Sequence, residues 1–245
     1  MHAIAATGLS FSYPNGRTIL NNLNFTIEAG ETVILAGLSG CGKTTLCNLL
    51  CGICPQLIPG SVKGQIELLE KPISGRSVAQ LAKQIGLVFQ DSDNQLFCTT
   101  VEDELAFGLE NQCMPPTEIA NAIEEMLQHF HINDLRLADP GKLSGGQKKL
   151  VALAAVAILN PAIIILDEPL SGLDECGQNM VAAIIKERRE AGQTMLIVEH
   201  DLQAITATLA DRWLILANGE LAAFDKPQAL KNSRLLSDLE LYYEY

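Results

Sequence analysis

Gly37, Gly42, Lys43 and Thr44 occupy the fixed positions of a G-x-x-x-x-G-K-[S/T] run, with Leu38, Ser39, Gly40 and Cys41 between them and Thr45 directly after. That spacing carries phosphate-binding chemistry. The glycines let backbone N–H groups approach phosphate oxygens, and a helix starting there adds partial positive charge. Lys43 reaches the β- and γ-phosphates, and the Thr44 hydroxyl is offered to Mg²⁺. The flanks fit, because residues 32–36 form a short apolar, β-branched run and residues 45–51 read as a helix. The run predicts a nucleoside triphosphate as ligand. Cys41, beside Lys43 at a helix N-terminus, is expected to have a lowered pKa and to react readily until phosphates cover it.

Other chemistry-bearing residues recur at the ends of apolar runs. Residues 162–166 are apolar throughout, as in a strand buried on both faces, and lead into Asp167 and Glu168. Adjacent carboxylates at such an edge suit a Mg²⁺ contact followed by a water-orienting base, and two buried acids without a cation would be costly. Gln90 ends the run 85–89 and His200 comes soon after the run 194–198, both placed where open α/β sheets bind ligands. Ser144 is an N-cap candidate, and Gly145 and Gly146 before Gln147 leave backbone N–H groups uncovered, so a second anion-binding helix start is expected there. Tyr13 stands beside a turn, where an aromatic either lies against a purine ring or covers core. Cys51 and Cys54 form a lone C-x-x-C with no second pair to complete a metal site, so a metal or redox role is a minor reading. His129 and His131 fall in the last turn of an amphipathic helix, where the dipole favours them without any ligand role.

These residues need elements to hold them. Residues 3–11 and 18–27 read as strands around a turn at 13–17, and 65–69 as a half-buried strand after a turn-rich connection at 55–64. A polar loop at 91–100 precedes helices at 101–109 and 118–131, the latter with Ile119, Ile123, Met126, Leu127 and Phe130 at helical spacing. In that loop Asp91 to Gln95 are expected outside, while Leu96 and Phe97 are either an exposed apolar pair or buried among the helices. A helix through 150–159, another carrying Met180, Val181, Ile184 and Ile185, and a hairpin about Asn218 and Gly219 complete the set, with a short helix and tail at 226–245.

Composition narrows the function classes. The chain has 245 residues, 48% of them apolar, enough for one large domain or two small ones. Its longest apolar stretch, 150–159, stops at Asn160 and Pro161, short of the roughly 20 residues a membrane-spanning helix needs. Residues 1–7 lack the basic start and cleavage site of a signal peptide, which points to the cytoplasm. A net charge of −12 argues against gripping nucleic acid through its phosphates or docking on anionic lipid. Seven cysteines without a regular framework suggest free thiols in a reducing compartment.

Taken in order, the phosphate loop, Gln90, the run Leu143, Ser144, Gly145, Gly146, Gln147, the pair Asp167 and Glu168, the turn Ser171 to Asp174, and His200 resemble the ATP-binding-cassette (ABC) ATPases along essentially the whole chain. The resemblance implies an α/β P-loop NTPase fold with an antiparallel β subdomain and an inserted helical subdomain. It implies a single ABC ATPase domain, with a nucleotide-binding core at 1–90 and 160–225 and a helical part at 91–159. It also implies a head-to-tail dimer in which the signature helix of one subunit closes over the γ-phosphate held by the other, which explains the second cradle. Asp167 would hold Mg²⁺, Glu168 polarise attacking water, Gln90 and His200 sense γ-phosphate and metal, and Asp174 work across the dimer. Residues 11–16 and 88–97 look like energy-coupling factor (ECF) importers for vitamins and metal ions. That likeness would make Tyr13 the adenine-stacking residue and 93–97 a short helix facing the membrane partner. Lys148 and Lys149 depart from the Gln/Arg-rich sequence that many relatives carry after the signature, which leaves the cradle intact. The function implied is the ATP-hydrolysing subunit of an importer, using ATP and Mg²⁺ at the cytoplasmic face of the membrane. Its partners would be a second ATPase subunit, identical or paralogous, a membrane coupling subunit and a substrate-binding membrane subunit. The alternatives are a soluble ABC protein acting on DNA or ribosomes, for which length and charge are unsuited, and an ATP-gated clamp, against which Glu168 counts.

Overall fold

The computed structural model describes residues 1–200, 202, 208–231, 234 and 236. Asp201 and most of the expected terminal helix and tail lie outside the described residues. Two compact units result. One comprises Met1–Leu87, Ala162–Glu168 and the described residues from 186 onward, the other Val88–Pro161 and Pro169–Ile185. The second unit thus takes in residues 169–185 as well as the 91–159 span expected to be helical.

In the first unit, β1 (His2–Ser12) and β2 (Thr18–Glu28) pair antiparallel around the 13–17 turn. Alternate residues point inward, so Ile4, Ala6, Leu9 and Phe11 of β1 and Leu20, Leu23, Phe25 and Ile27 of β2 share one core. After β3 (Thr32–Ala36) the chain enters the phosphate loop, α1 (Lys43–Leu50) and the short α2 (Ile53–Gln56). Next come β4 (Ser61–Leu68), β5 (Lys71–Pro72) and the single turn α3 (Val78–Leu81). The first sheet has the order β2-β1-β4-β5.

Here the expected connection at 55–64 needs correction, because β4 begins at Ser61. Residues 61–65 are exposed and give no burial pattern to read, yet Ser61, Val62 and Lys63 pair with Ser12, Phe11 and Ser10. Backbone pairing with β1, which leaves no trace in hydrophobic periodicity, decides the strand's start.

The second sheet is built from β6 (Ile85–Val88), β7 (Ile163–Asp167), β8 (Thr194–Glu199), β9 (Arg212–Ala217) and β10 (Glu220–Asp225) together with β3, in the order β10-β9-β3-β8-β7-β6. β3, β7 and β8 run parallel and are buried at every residue, as strands covered on both faces must be. Asn218 and Gly219, both at positive φ, turn β9 into β10 as a two-residue hairpin. A short helix, α8 (Pro227–Lys231), comes next. Helices take their numbers from the chain, α4 to α7 belonging wholly or partly to the second unit.

In that unit α4 (Val101–Asn111) is capped by Thr100, whose hydroxyl accepts from the Asp103 N–H at 3.1 Å, and carries Glu102, Asp103 and Glu104 in its first turn, where the helix dipole favours acid. α5 (Pro116–His129) opens on a proline that has no N–H to lose and buries Ile119, Ile123 and Leu127. Arg136 ties the two helices, donating to Glu102 at 2.5 Å and Glu124 at 3.0 Å. His129 ends α5, while His131 lies beyond it at positive φ. α6 (Gly145–Ala157) is apolar on almost every side, and α7 (Glu175–Glu190) starts in this unit and continues into residues of the first.

One close approach tests the first sheet. Gly64 has φ +82°, and a Cβ there would sit 2.3 Å from the Gly8 carbonyl oxygen and 2.5 Å from that of Thr7, where β1 changes register. Backbone atoms cannot move aside as a side chain can. Gly64→Ala is therefore expected to cost about 2–3 kcal/mol and to lower the melting temperature by roughly 5–10 °C. An unchanged melting curve would show that the strands separate freely at this point.

Candidate functional site

The register of the parallel strands brings the candidate residues of the first unit together. Ala36 of β3 pairs with Glu199 of β8, and Asp167 of β7 pairs with Val198. Gly37, His200 and Glu168 are the next residues of three neighbouring strands, so all three emerge at one sheet edge. Glu168 turns out of the sheet at φ +48° while its N–H still donates to the Val198 carbonyl at 3.1 Å. Gly37 lets the loop begin close to the sheet, since a Cβ there would lie 2.3 Å from the Leu216 carbonyl oxygen and 2.7 Å from Cys41 Sγ.

Lys43 is at the centre of this edge and only 6% exposed. Its Nζ donates to the carbonyls of Gly37 at 2.6 Å and Leu38 at 3.1 Å, and lies 3.3 Å from His200 Nδ1. An ammonium has donors only, so Nδ1 accepts and the ring proton of His200 sits on Nε2. Nε2 in turn contacts Glu168 Oε1. The result is a continuous chain from ammonium through imidazole to carboxylate. Burial lowers the Lys43 pKa, while Cys41, Glu168 and Asp167 act in the opposite sense.

The loop also presents donors. Gly42 caps α1 without a side-chain partner, no acid occupies the first turn, and the leading N–H groups of Lys43, Thr44 and Thr45 have no partner within the helix. A helix start of this kind suits an anion. Thr44 is exposed and Asp167 is buried at the end of β7, a hydroxyl and a carboxylate of the hard-oxygen kind that Mg²⁺ takes. Among the described residues no group of three or more His, Cys, Asp or Glu is arranged to hold a metal by itself. Tyr13 is half-buried, packs edge-on against Phe11 at 5.0 Å, and brings its hydroxyl within 3.3 Å of Thr45 Oγ1. A cavity of about 320 Å³ borders the loop at Ser39, Gly40, Arg17 and Asn218. A larger one, about 810 Å³, is lined by Leu49, Cys54, Ile66 and Arg76 among others and by no residue of the phosphate loop.

The second unit holds the remaining candidates. Ser144 caps α6 with a reciprocal box, its Oγ accepting from the Gln147 N–H at 3.3 Å and its own N–H donating to Gln147 Oε1 at 3.0 Å. A Cβ on Gly145 would meet nothing within 4 Å and one on Gly146 only Leu173 at 3.9 Å, so that helix start has an open face. Asp174 Oδ1 accepts from the Gly177 N–H at 2.8 Å in the manner of an N-cap for α7. Gln90 is exposed, and its carbonyl accepts from Lys149 Nζ at 2.6 Å.

Two expectations for the loop after Gln90 are revised. The short helix expected at 93–97 is instead a 3₁₀ turn at Ser92–Asn94, started by Asp91, whose carboxylate accepts from the Asp93 N–H. Ser92 is buried, unlike its neighbours Asp91 and Asp93. Leu96 is half-buried but Phe97 is 65% exposed, stacked edge-on with Phe107 at 4.8 Å. What holds it is Glu104, a buried carboxylate that accepts from the N–H groups of Phe97 at 3.0 Å and Cys98 at 2.8 Å. Glu104 and Lys149 escaped sequence reasoning. The only available sign of either is a charge at a position that helical periodicity assigns to the buried face.

The ABC transporter family model matches residues 20–171. The energy-coupling factor transporter ATP-binding protein EcfA1 of Mycoplasma pneumoniae is 38% identical over 231 residues, which are 94% of this chain and 81% of that protein. A putative ABC transporter ATP-binding protein of Methanosarcina mazei is 38% identical over 239 residues, covering 96% of this chain and 40% of the longer relative. Among solved structures, cbiO1 from Clostridium perfringens, part of the ABC transporter complex cbiONQ, matches with a TM-score of 0.84 and 31% identity over 98% of this chain and 95% of that one.

The expected reactivity of Cys41 is corrected by its surroundings. The thiol is buried, and desolvation raises its pKa more than the Lys43 charge lowers it. Cys47 is likewise raised, and Cys51 is pushed up to about 12. Only Cys113 and Cys176 are exposed. Brief iodoacetamide treatment at pH 7.5 should therefore alkylate those two first and spare Cys41, whose labelling rate rises only at more alkaline pH as the thiolate forms. Peptide mass spectrometry finding Cys41 modified ahead of Cys113 would contradict this account.

Proposed function

The chain belongs to the ABC transporter ATPases and has their P-loop α/β fold with an antiparallel β part and a helical insertion; on that premise we propose that it is the ATP-hydrolysing subunit of an ECF-type importer. The observation that carries the proposal is the Lys43–His200–Glu168 chain at the matched ends of β3, β8 and β7. It joins the residue that meets the phosphates to the carboxylate that orients the attacking water.

In this reading the phosphates of ATP settle on the loop from Gly37 to Thr45, with Ser39, Gly40, Cys41 and Gly42 supplying backbone N–H groups and Lys43 its charge. Tyr13, steadied by Phe11, stacks on the adenine. Thr44, Asp167 and Gln90 are the residues that would hold Mg²⁺, and that ion, when bound, would offset charge on the phosphoryl oxygens. Glu168 draws the proton of the attacking water while the His200 Nε2–H keeps its carboxylate aimed. Ser144, Gly145, Gly146, Gln147 and Asp174 serve the nucleotide of a second ATPase subunit, identical or paralogous, packed head to tail. The chain works as one ABC ATPase domain.

Among the described residues no helix is long and apolar enough to cross a membrane. Transport therefore falls to membrane subunits, one for coupling and one for the solute, with this chain on the cytoplasmic face. Phe97, exposed beside Phe107 and fixed through Glu104, is where the coupling subunit docks.

Glu168→Gln should bind ATP within about twofold of wild type yet hydrolyse it at least ~100-fold more slowly, as loss of a general base requires. Phosphate release at more than a tenth of the normal rate would remove Glu168 from that role. Phe97→Ser should break co-purification with the membrane subunits while leaving the melting temperature and nucleotide binding of the isolated chain unchanged. Intact assembly by the folded variant would move the docking surface elsewhere.

A further inference from the structure

α6 buries Leu150, Val151, Ala152, Leu153 and Ala154 in succession, and immediately before them it buries Lys149, only 3% exposed. An ammonium in such surroundings is tolerated only where acceptors replace water. Lys149 Nζ finds them in the backbone, donating to the carbonyl of Gln90 at 2.6 Å and to that of Phe89 at 3.3 Å.

The segment it grips is held from its other side as well. The Phe89 N–H donates to Gln95 Oε1 at 2.9 Å, so Gln95 holds the Val88–Phe89 peptide while Lys149 holds the two peptides flanking Gln90, and the backbone there has little freedom to rotate. One residue earlier on the helix, Lys148 pairs with Asp93 in the turn just past Gln90. Two consecutive lysines thus bind the first turns of α6, a few residues from Ser144, to the loop that carries Gln90.

We propose that Lys149 is a positioning residue for Gln90, clamping the two peptides that flank it so that the Gln90 amide and the open start of α6 hold a fixed relation to each other within the second unit. In this role Lys149 acts indirectly. Its effect passes through the backbone of residue 90, which sets the direction in which the Gln90 side chain leaves the chain. A hydrocarbon side chain at 149 fills similar space and leaves two carbonyls without their cation, freeing the peptide to turn. This rests on the reading above in which Gln90 meets the nucleotide and its Mg²⁺.

The test is a double-mutant cycle on ATP hydrolysis as a function of Mg²⁺, using the full chain with whatever subunits co-purify with it. Lys149→Met should lower kcat about tenfold and raise the Mg²⁺ needed for half-maximal rate several-fold, with ATP affinity within twofold of wild type. In a Gln90→Ala background the same substitution should cost less than twofold, because there is no longer an amide to aim. Lys149→Gln, which retains a donor, should recover part of the lost rate and Mg²⁺ response. Equal losses from Lys149→Met in both backgrounds would overturn the proposal and leave the lysine a structural ion alone, as would a folded Lys149→Met with normal rate and Mg²⁺ dependence. Should Lys149→Met show no cooperative melting, Lys149→Gln carries the same cycle, and its smaller loss should likewise shrink in the Gln90→Ala background. If Gln90→Ala itself hydrolyses normally at every Mg²⁺ concentration, the nucleotide role of Gln90 falls, and the positioning role falls with it. An impaired Gln90→Ala with additive Lys149 losses defeats the positioning role alone.

Discussion

A positive charge that must exist almost out of water constrains the first unit more than any other feature. Lys43 is held between the carbonyls of its own loop, the imidazole of His200 and the field of Asp167 and Glu168. Without those partners its burial would cost several kcal/mol. The partners come from three stretches of chain, and those outside the loop are delivered by the register of β8 and β7. A one-residue slip of β8 against β3 would take His200 from the ammonium, and a slip of β7 would take Glu168 from His200. The apolar middles of β3, β7 and β8 serve this end by pinning the strands through packing on both faces, so that polar side chains stand only at the strand ends.

The parts of the site written in residue type and spacing could be read directly. The phosphate loop, the capped start of α6 and the acidic pair at the end of β7 each combine a local pattern with a local physical role, and the helices α4 and α5 are legible from periodicity. The parts that could not be read depend on pairing across distance. The start of β4 at Ser61 is set by β1, the His200–Glu168 contact by strand register, and the Lys149 contacts by the packing of α6 on a loop some sixty residues away in sequence. Cys41 departs from its expected reactivity for a related reason. Its neighbour Lys43 is visible in the sequence, whereas the burial that outweighs it is a property of the folded loop.

Charge in the second unit is used mostly for internal tethering. Arg136 spans Glu102 and Glu124, Lys148 meets Asp93, and Glu104 secures two consecutive N–H groups ahead of its own helix. Ties of this kind specify one conformation for loops too polar to be fixed by packing. They leave the aromatic pair Phe97 and Phe107 standing out of the surface on a rigid base, so that a partner meeting it loses little conformational entropy.

The abrupt end of the parallel strands has a kinetic meaning. β3, β7 and β8 are buried at every residue, so their amide protons are expected to exchange with solvent only through large openings, whereas Leu38 and His200, just past the ends of β3 and β8, are exposed. Between Ala36 and Gly40, and again from Glu199 to His200, the chain passes in a few steps from buried to exposed residues, and slow exchange should give way to fast. The proposed phosphate site sits on that boundary, backed on one side by buried strand and bordered on the other by exposed loop.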